Sequence, residues 1–257
     1  MSNTGTAFEK LIGIMERLRG PDGCPWDREQ TYKDIAPHTL EEVHEVLDAI
    51  DRNDLDGLRE ELGDLLLQIV FYAQIAKEEK KFTIDDVVES INKKLIHRHP
   101  HVFGETKVKD SGEVLERWEA LKFEEGKKSV VGGVPKALPA LLKAYRLGEK
   151  TARVGFDWED AEGILTKVEE EARELHEARG TKDEGRIEHE YGDLLFTMAN
   201  IGRFLGIDPE GALRKATERF IKRFKFMEEE IEKQKKEMQS LSAKEWDDLW
   251  NNAKRKT

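Results

Sequence analysis

A pattern of acidic residues occurs twice in this chain, and a constant 129 residues separate the two copies. Glu41, Glu42 and Glu45, followed by Glu61 and Asp64, map onto Glu170, Glu171 and Glu174, followed by Glu190 and Asp193. Gly63 lands on Gly192, and Leu65-Leu66 on Leu194-Leu195. Residues spaced i and i+3 project from one face of a helix, so each copy predicts two carboxylate pairs on successive helices. If those helices are antiparallel neighbours, four carboxylates meet. Such a cluster must take up protons or bind a cation, and oxygen-only ligands suit Mg²⁺ or Mn²⁺. With 54 acidic residues in 257, isolated i,i+3 pairs arise by chance on the order of ten times. A register held across several positions does not: solvated helix faces drift after duplication, whereas a shared four-carboxylate site would not.

The repeat divides the chain into two domains, read here as residues 1–128 and 137–257 joined by a Gly- and Pro-containing linker at 129–136. A charged fraction of 38 % with only 7 prolines favours helices with broad solvated faces over a buried parallel sheet. The expected fold class is all-α, a tandem repeat of two helical bundles. A net charge of −11 argues against a nucleic-acid partner, because a general phosphate-backbone binder carries a basic excess. Cys24 is the single cysteine, so no intrachain disulfide framework exists and a reducing compartment is expected. Within the aromatic turn Gly23-Cys24-Pro25-Trp26-Asp27 this thiol reads as packing, with no base beside it. No apolar run approaches membrane-spanning length and the N-terminus lacks a signal-peptide layout. The expectation is a cytoplasmic protein without a membrane partner.

Apolar spacing predicts a helix from about Phe8 to Leu18, stopped by Gly20 to Pro25, and a long central helix from about Leu55 to Lys77. Thr39 and Glu42 match a capping box, which offers Glu42 a purely structural role. The second copy speaks against that role, since its helix is expected to begin near Asp160, well before Glu171. Another helix opens at Thr83 and runs into His97, His99 and His101, which invite a zinc assignment. The aligned stretch of the second copy replaces them by Lys222, Phe224 and Phe226. What persists is a cation pair, Lys94 with Arg98 and Arg219 with Arg223, suited to phosphate oxygens. Trp118 with Lys122, and Trp250 with Lys254, could each stack on a base and touch its phosphates, although core packing is the commoner fate of a Trp. The charged stretch from Met227 to Met238 is expected to extend the basic helix into solvent.

There is no Gly-rich phosphate loop, no dinucleotide fingerprint and no nucleophile–base pair. Helix-borne carboxylates that hold Mg²⁺, with Lys and Arg to neutralise phosphates and a spare carboxylate to activate water, point to phosphoanhydride hydrolysis. Several motifs resemble those of the MazG family of tandem-domain nucleoside triphosphate pyrophosphohydrolases. They are Gly23-Cys24-Pro25-Trp26-Asp27, Leu40-Glu41-Glu42 through Glu45, Glu61-Leu62-Gly63-Asp64, Arg98 to Phe103, Val154 to Trp158 and Gly192-Asp193-Leu194-Leu195-Phe196. The resemblance implies an all-α homodimer that converts a nucleoside triphosphate and water to the monophosphate and pyrophosphate with Mg²⁺. It also implies that the second repeat is the active one. By it, Glu171, Glu174, Glu190 and Asp193 would be the metal ligands, with Glu170 a further metal or water-activating carboxylate beside the catalytic Glu171 and Glu174. Lys167, Arg219, Lys222, Arg223 and Trp250 would be nucleotide contacts, with Arg186 a further candidate. This chain has Arg219 where the family pattern has Lys, so a fork replaces a point charge.

Glu42, Glu45, Glu61 and Asp64 form a possible second metal site, with His38 where the second repeat has Lys167. Weak metal binding or a mainly architectural role is expected of this first repeat. Two rivals stand beside the enzyme reading: a helical module that senses nucleotides or docks a partner without turnover, and a pyrophosphatase restricted to one nucleotide such as dUTP.

Overall fold

The computed structural model describes residues 4–110, 112–114, 117 and 129–257. The chain divides into two compact units, Met1–Ser111 and Gly112–Thr257. No strand occurs among the described residues, which makes each unit all-α. Residues 129–139 form no helix. Among the described residues no helix is long and apolar enough to cross a membrane. Trp118 and Lys122 lie outside the described residues.

The first unit contains α1 (Thr4–Arg19), α2 (Pro25–Glu29), α3 (Tyr32–Arg52), α4 (Leu55–Glu78), α5 (Ile84–Arg98) and α6 (Pro100–Phe103). Helix α4 is central, packing on α1, α3 and α5. Its inward residues Val70, Phe71, Ala73 and Ile75 join Met15, Ile35 and Ile84 in the core. Burying Phe71 alone contributes about 2–3 kcal/mol. The expectation that α4 is apolar nearly all round meets a refinement here. Leu62, Leu66 and Ile69 form a stripe at helical spacing that stays exposed. Cys24 caps the one-turn helix α2 as a free, half-buried thiol.

Helix α3 begins earlier than the Thr39–Glu42 signature implied. Its capping box is Thr31 with Asp34, and the hydroxyl of Thr39 instead donates to the Ile35 carbonyl from inside the helix. Aspartate serves at N3 where the usual signature asks for Glu or Gln. Glu42 is therefore free of capping duty.

The second unit contains α7 (Ala140–Ala152), α8 (Ala161–Thr181), α9 (Glu184–Phe204), α10 (Pro209–Lys233) and α11 (Ala243–Lys256), with a short 3₁₀ turn at Met238–Ser240. Helix α9 packs on α7, α8 and α10, as α4 does in its own unit, and α11 packs on α10. The far end of α10 is not purely solvated, since Met227 and Ile231 are buried.

The sequence offset survives as geometry. Helices α3 and α8 start at residues 32 and 161 and end at 52 and 181, while α4 and α9 start at 55 and 184. Between each pair, one left-handed residue (Asn53, φ 54°; Lys182, φ 61°) precedes an aspartate that caps the next helix. The cores differ more than the backbones. Met15, Val70 and Phe71 of the first unit correspond to Ala144, Ala199 and Asn200 of the second, all buried.

Candidate metal centre

In the second unit, antiparallel packing of α8 on α9 brings the expected carboxylates together. Oxygens of Glu171, Glu174 and Glu190 lie within 4.8 Å of one another. Asp193 joins through Glu190, with which it and His189 form a second group of the same tightness. Glu171 is only 5 % exposed, so its charge must be met locally. The ammonium of Lys167 meets it, standing 2.9 Å from Glu171 Oε1 and 2.9 Å from Glu170 Oε1. Those two hydrogen bonds, Glu171 first, hold the lysine well above the usual ammonium range. Glu170 is thus tied to Lys167 rather than gathered with the three clustered carboxylates. Arg186 approaches the same cluster, with Nε 3.7 Å from Glu190 Oε1.

Arg219, Lys222 and Arg223 lie on α10 and Trp250 on α11, and of the three cations it is Arg223 that meets the indole. The Trp250 indole is packed by the Phe220 ring at 5.5 Å, with the Arg223 guanidinium and the Lys254 ammonium each 5.7 Å from its centroid. Arg219 and Lys222 project into solvent, whereas the Nε of half-buried Arg223 has no hydrogen-bond partner.

The first unit repeats the carboxylates without the lysine. Glu42, Glu45 and Glu61 gather within 4.8 Å, and Gln68 donates to Glu42 Oε1 at 3.4 Å. His38, in the place of Lys167, turns to Glu41 at 3.2 Å. Desolvation, then the charge of Asp64, pushes the Glu42 carboxyl above its usual range. Desolvation, then the Glu45 charge, does the same to Glu61. Two arrangements of one site therefore stand in one chain, one carrying its own ammonium and one whose carboxyls favour protons. Among the described residues, His97, His99 and His101 form no cluster able to hold a metal.

Both carboxylate hairpins fall within matches to known domains. The MazG nucleotide pyrophosphohydrolase domain matches residues 30–103, and phosphoribosyl-ATP pyrophosphohydrolase matches residues 149–220. The nucleoside triphosphate pyrophosphohydrolase/pyrophosphatase MazG of Thermotoga maritima is 49 % identical over 257 residues, covering 99 % of this chain and 98 % of that protein. The chain belongs to the MazG nucleoside triphosphate pyrophosphohydrolases. A second MazG-family relative, the nucleoside triphosphate pyrophosphohydrolase of Escherichia coli K12, is 46 % identical and covers 96 % of this chain and 97 % of its own length.

Sequence reading of this MazG-family chain missed His189. Its Nδ1 lies 3.1 Å from Asp193 Oδ2. The signal was present as an i,i+4 pair on the same helix. Comparing the repeats hid it, because the first repeat has Glu60 at that position.

Proposed function

We propose that the second unit hydrolyses nucleoside triphosphates at the α–β phosphoanhydride, releasing monophosphate and pyrophosphate, with Mg²⁺ (or Mn²⁺) held by Glu171, Glu174, Glu190 and Asp193. One observation carries this reading: three carboxylate oxygens from two helices converge within 4.8 Å at a site where a lysine ammonium already acts as counter-cation. Hard oxygen donors fit a hard divalent ion, which would take over the neutralising role that Lys167 holds without it. Such an ion supplies Lewis-acid neutralisation of phosphate charge.

The chain's own residues account for the rest. Lys167 would move from the carboxylates to a phosphate oxygen, where the phosphate charge favours its protonated form. That exchange releases Glu170, the carboxylate suited to taking a proton from the attacking water. The water oxygen bonds to the α-phosphorus as the bridging oxygen leaves on pyrophosphate. Arg219, Lys222 and Arg223 are assigned to the departing phosphates, and Trp250 to a nucleotide contact fixed by Phe220. Arg186 holds Glu190 in position. In this reading the first unit binds metal more weakly, because the Glu42 and Glu61 carboxyls hold protons more tightly and an ion must displace them. The exposed stripes Leu62, Leu66 and Ile69 on α4, and Leu195 with Met198 on α9, support assembly as a homodimer.

Product analysis by ion exchange after incubation with each nucleoside triphosphate and Mg²⁺ tests the reaction. Wild type should give monophosphate and pyrophosphate, and Glu171→Gln should lose at least 100-fold in rate. Diphosphate plus phosphate would sink the proposal. Full activity in the variant would move the site to Glu42, Glu45, Glu61 and Asp64.

A further inference from the structure

We propose that Trp246 is a positioning residue for nucleotide binding: by anchoring α11 on α10 it fixes the Trp250 ring beside Arg223. This rests on the reading of Trp250 as a nucleotide contact.

Helix α11 needs an anchor. Among the described residues α10 is the only helix on which it packs to more than a marginal extent, whereas α7, α8, α9 and α10 hold one another. Any side chain that α11 offers a ligand is therefore only as well placed as the seam between α10 and α11. Trp250 is such a side chain.

The seam is a continuous row of rings. Trp246 and Trp250 lie at i and i+4 on α11, and Phe220 and Phe224 at the same spacing on α10, so each pair shares one helix face. The Trp246 ring stacks on Phe224 at 6.2 Å, Phe224 stacks on Phe220 at 6.0 Å, and Phe220 meets Trp250 at 5.5 Å. The first two contacts are nearly parallel, with 13° and 15° between ring planes. Phe220 is 54 % exposed, so its rotamer is held from the Phe224 side, and Trp246 closes that side. Each aromatic pair of this kind contributes roughly 2- to 10-fold to an equilibrium constant.

The chain leading to Trp246 is tied down as well. It leaves α10 through Lys235 in the left-handed region (φ 53°) and re-enters helix after Ser242, whose capping box with Glu245 sets where α11 begins. Lys236 donates to Glu245 at 2.7 Å, which binds the first turn of α11 to the end of α10 directly before Trp246. Rotation of α11 about its axis is thus limited by an ion pair at one end and by the ring stack along the seam. The product of that restraint is the Trp250 indole, with the Arg223 guanidinium and the Lys254 ammonium each 5.7 Å from its centroid. The Nε of Arg223 has no hydrogen-bond partner, so the ring contact is what places this guanidinium. Trp246 acts on a nucleotide through these two residues.

The test compares wild type, Trp246→Leu, Trp246→Phe and Trp250→Leu in the full chain. Each is titrated with AMP and with Mg²⁺ alone by calorimetry, and assayed for ATP hydrolysis with Mg²⁺. Trp246→Leu should weaken AMP binding and raise KM, each by roughly fivefold, with kcat changed by less than about twofold. Trp246→Phe keeps a ring for Phe224 to stack on and should restore both. Mg²⁺ binding should be unchanged in all three variants. A packing role alone would lower the melting temperature of Trp246→Leu and leave its KM and AMP affinity intact below that temperature. That result, with Trp250→Leu impaired, would overturn the proposal. An equal fall in kcat, or weakened Mg²⁺ binding in Trp246→Leu, would also overturn it. AMP affinity unchanged in Trp250→Leu, or no AMP binding by wild type, would overturn it together with the contact assigned to Trp250. AMP binding without pyrophosphate release would sink the hydrolytic reading alone, and the titrations would still decide the role of Trp246.

Discussion

Lys167 and His38 occupy one position in two copies of a site, and the difference sets how each site stands without metal. The Glu171–Lys167 pair is buried on the acid side and about one-third exposed on the lysine side. Because the lysine's folded pKa is raised, its stabilisation is complete below the ordinary lysine range and fades only as pH rises through the higher folded value. At neutral pH it is fully present. Lys167→Ala should therefore lower metal-free stability by about 1–2 kcal/mol, discounted for the exposed ammonium, and should enlarge the stabilisation gained from Mg²⁺. Urea denaturation in EDTA and in Mg²⁺ checks both. An unchanged metal-free midpoint would refute the counter-ion role. Glu42 is shifted in the same direction, but from the carboxylate range. Its folded carboxyl binds a proton more tightly, so its contribution is favourable below the usual carboxylate range and is lost as pH rises. Glu42→Gln should raise metal-free stability at neutral pH and reduce the gain from Mg²⁺, a crossing that a plain packing defect would not give.

Helices α3, α4, α8 and α9 were legible as elements because their apolar spacing and repeated carboxylates agree. Their ends were less so. Thr31 with Asp34 escaped notice because Asp replaced the expected Glu or Gln, and a chance Thr39–Glu42 match drew attention eight residues too far along. The site's carboxylates were readable since a face of a helix follows from spacing alone. His189 was not, because it depends on where the repeats differ. Two predictions belong here. Lys182 closes α8 in the left-handed region, which suits Gly or Asn better, so Lys182→Gly should stabilise by up to ~1 kcal/mol, read as a rise in melting temperature. Glu245, in the capping box of α11 and paired with Lys236, is held at about 2. Its contribution is present above the ordinary carboxylate value and is lost as pH falls toward about 2. Glu245→Gln should be destabilised at neutral pH and lose part of the wild type's acid sensitivity, as followed by circular dichroism between neutral and low pH.

Each unit exposes apolar rows that a solvated bundle has no use for. In the first, α5 adds Val88, Ile91 and Leu95 to the stripe on α4. A protomer of 29.6 kDa should sediment at twice that mass. Leu66→Glu with Ile69→Glu should shift it toward the monomer, and a monomeric wild type would remove the dimer assignment.

The matched limits of α3 and α8, and the matched starts of α4 and α9, have a further meaning. The carboxylate cluster is a matter of rotational phase. One residue inserted within α8 between Lys167 and Glu174 would turn the residues after it by about 100°, carrying an oxygen from the cluster into solvent. A residue inserted in the non-helical stretch at 129–139 would turn nothing in either hairpin. Length can therefore vary freely between the two units, while inside each hairpin the count of residues decides whether the carboxylates meet.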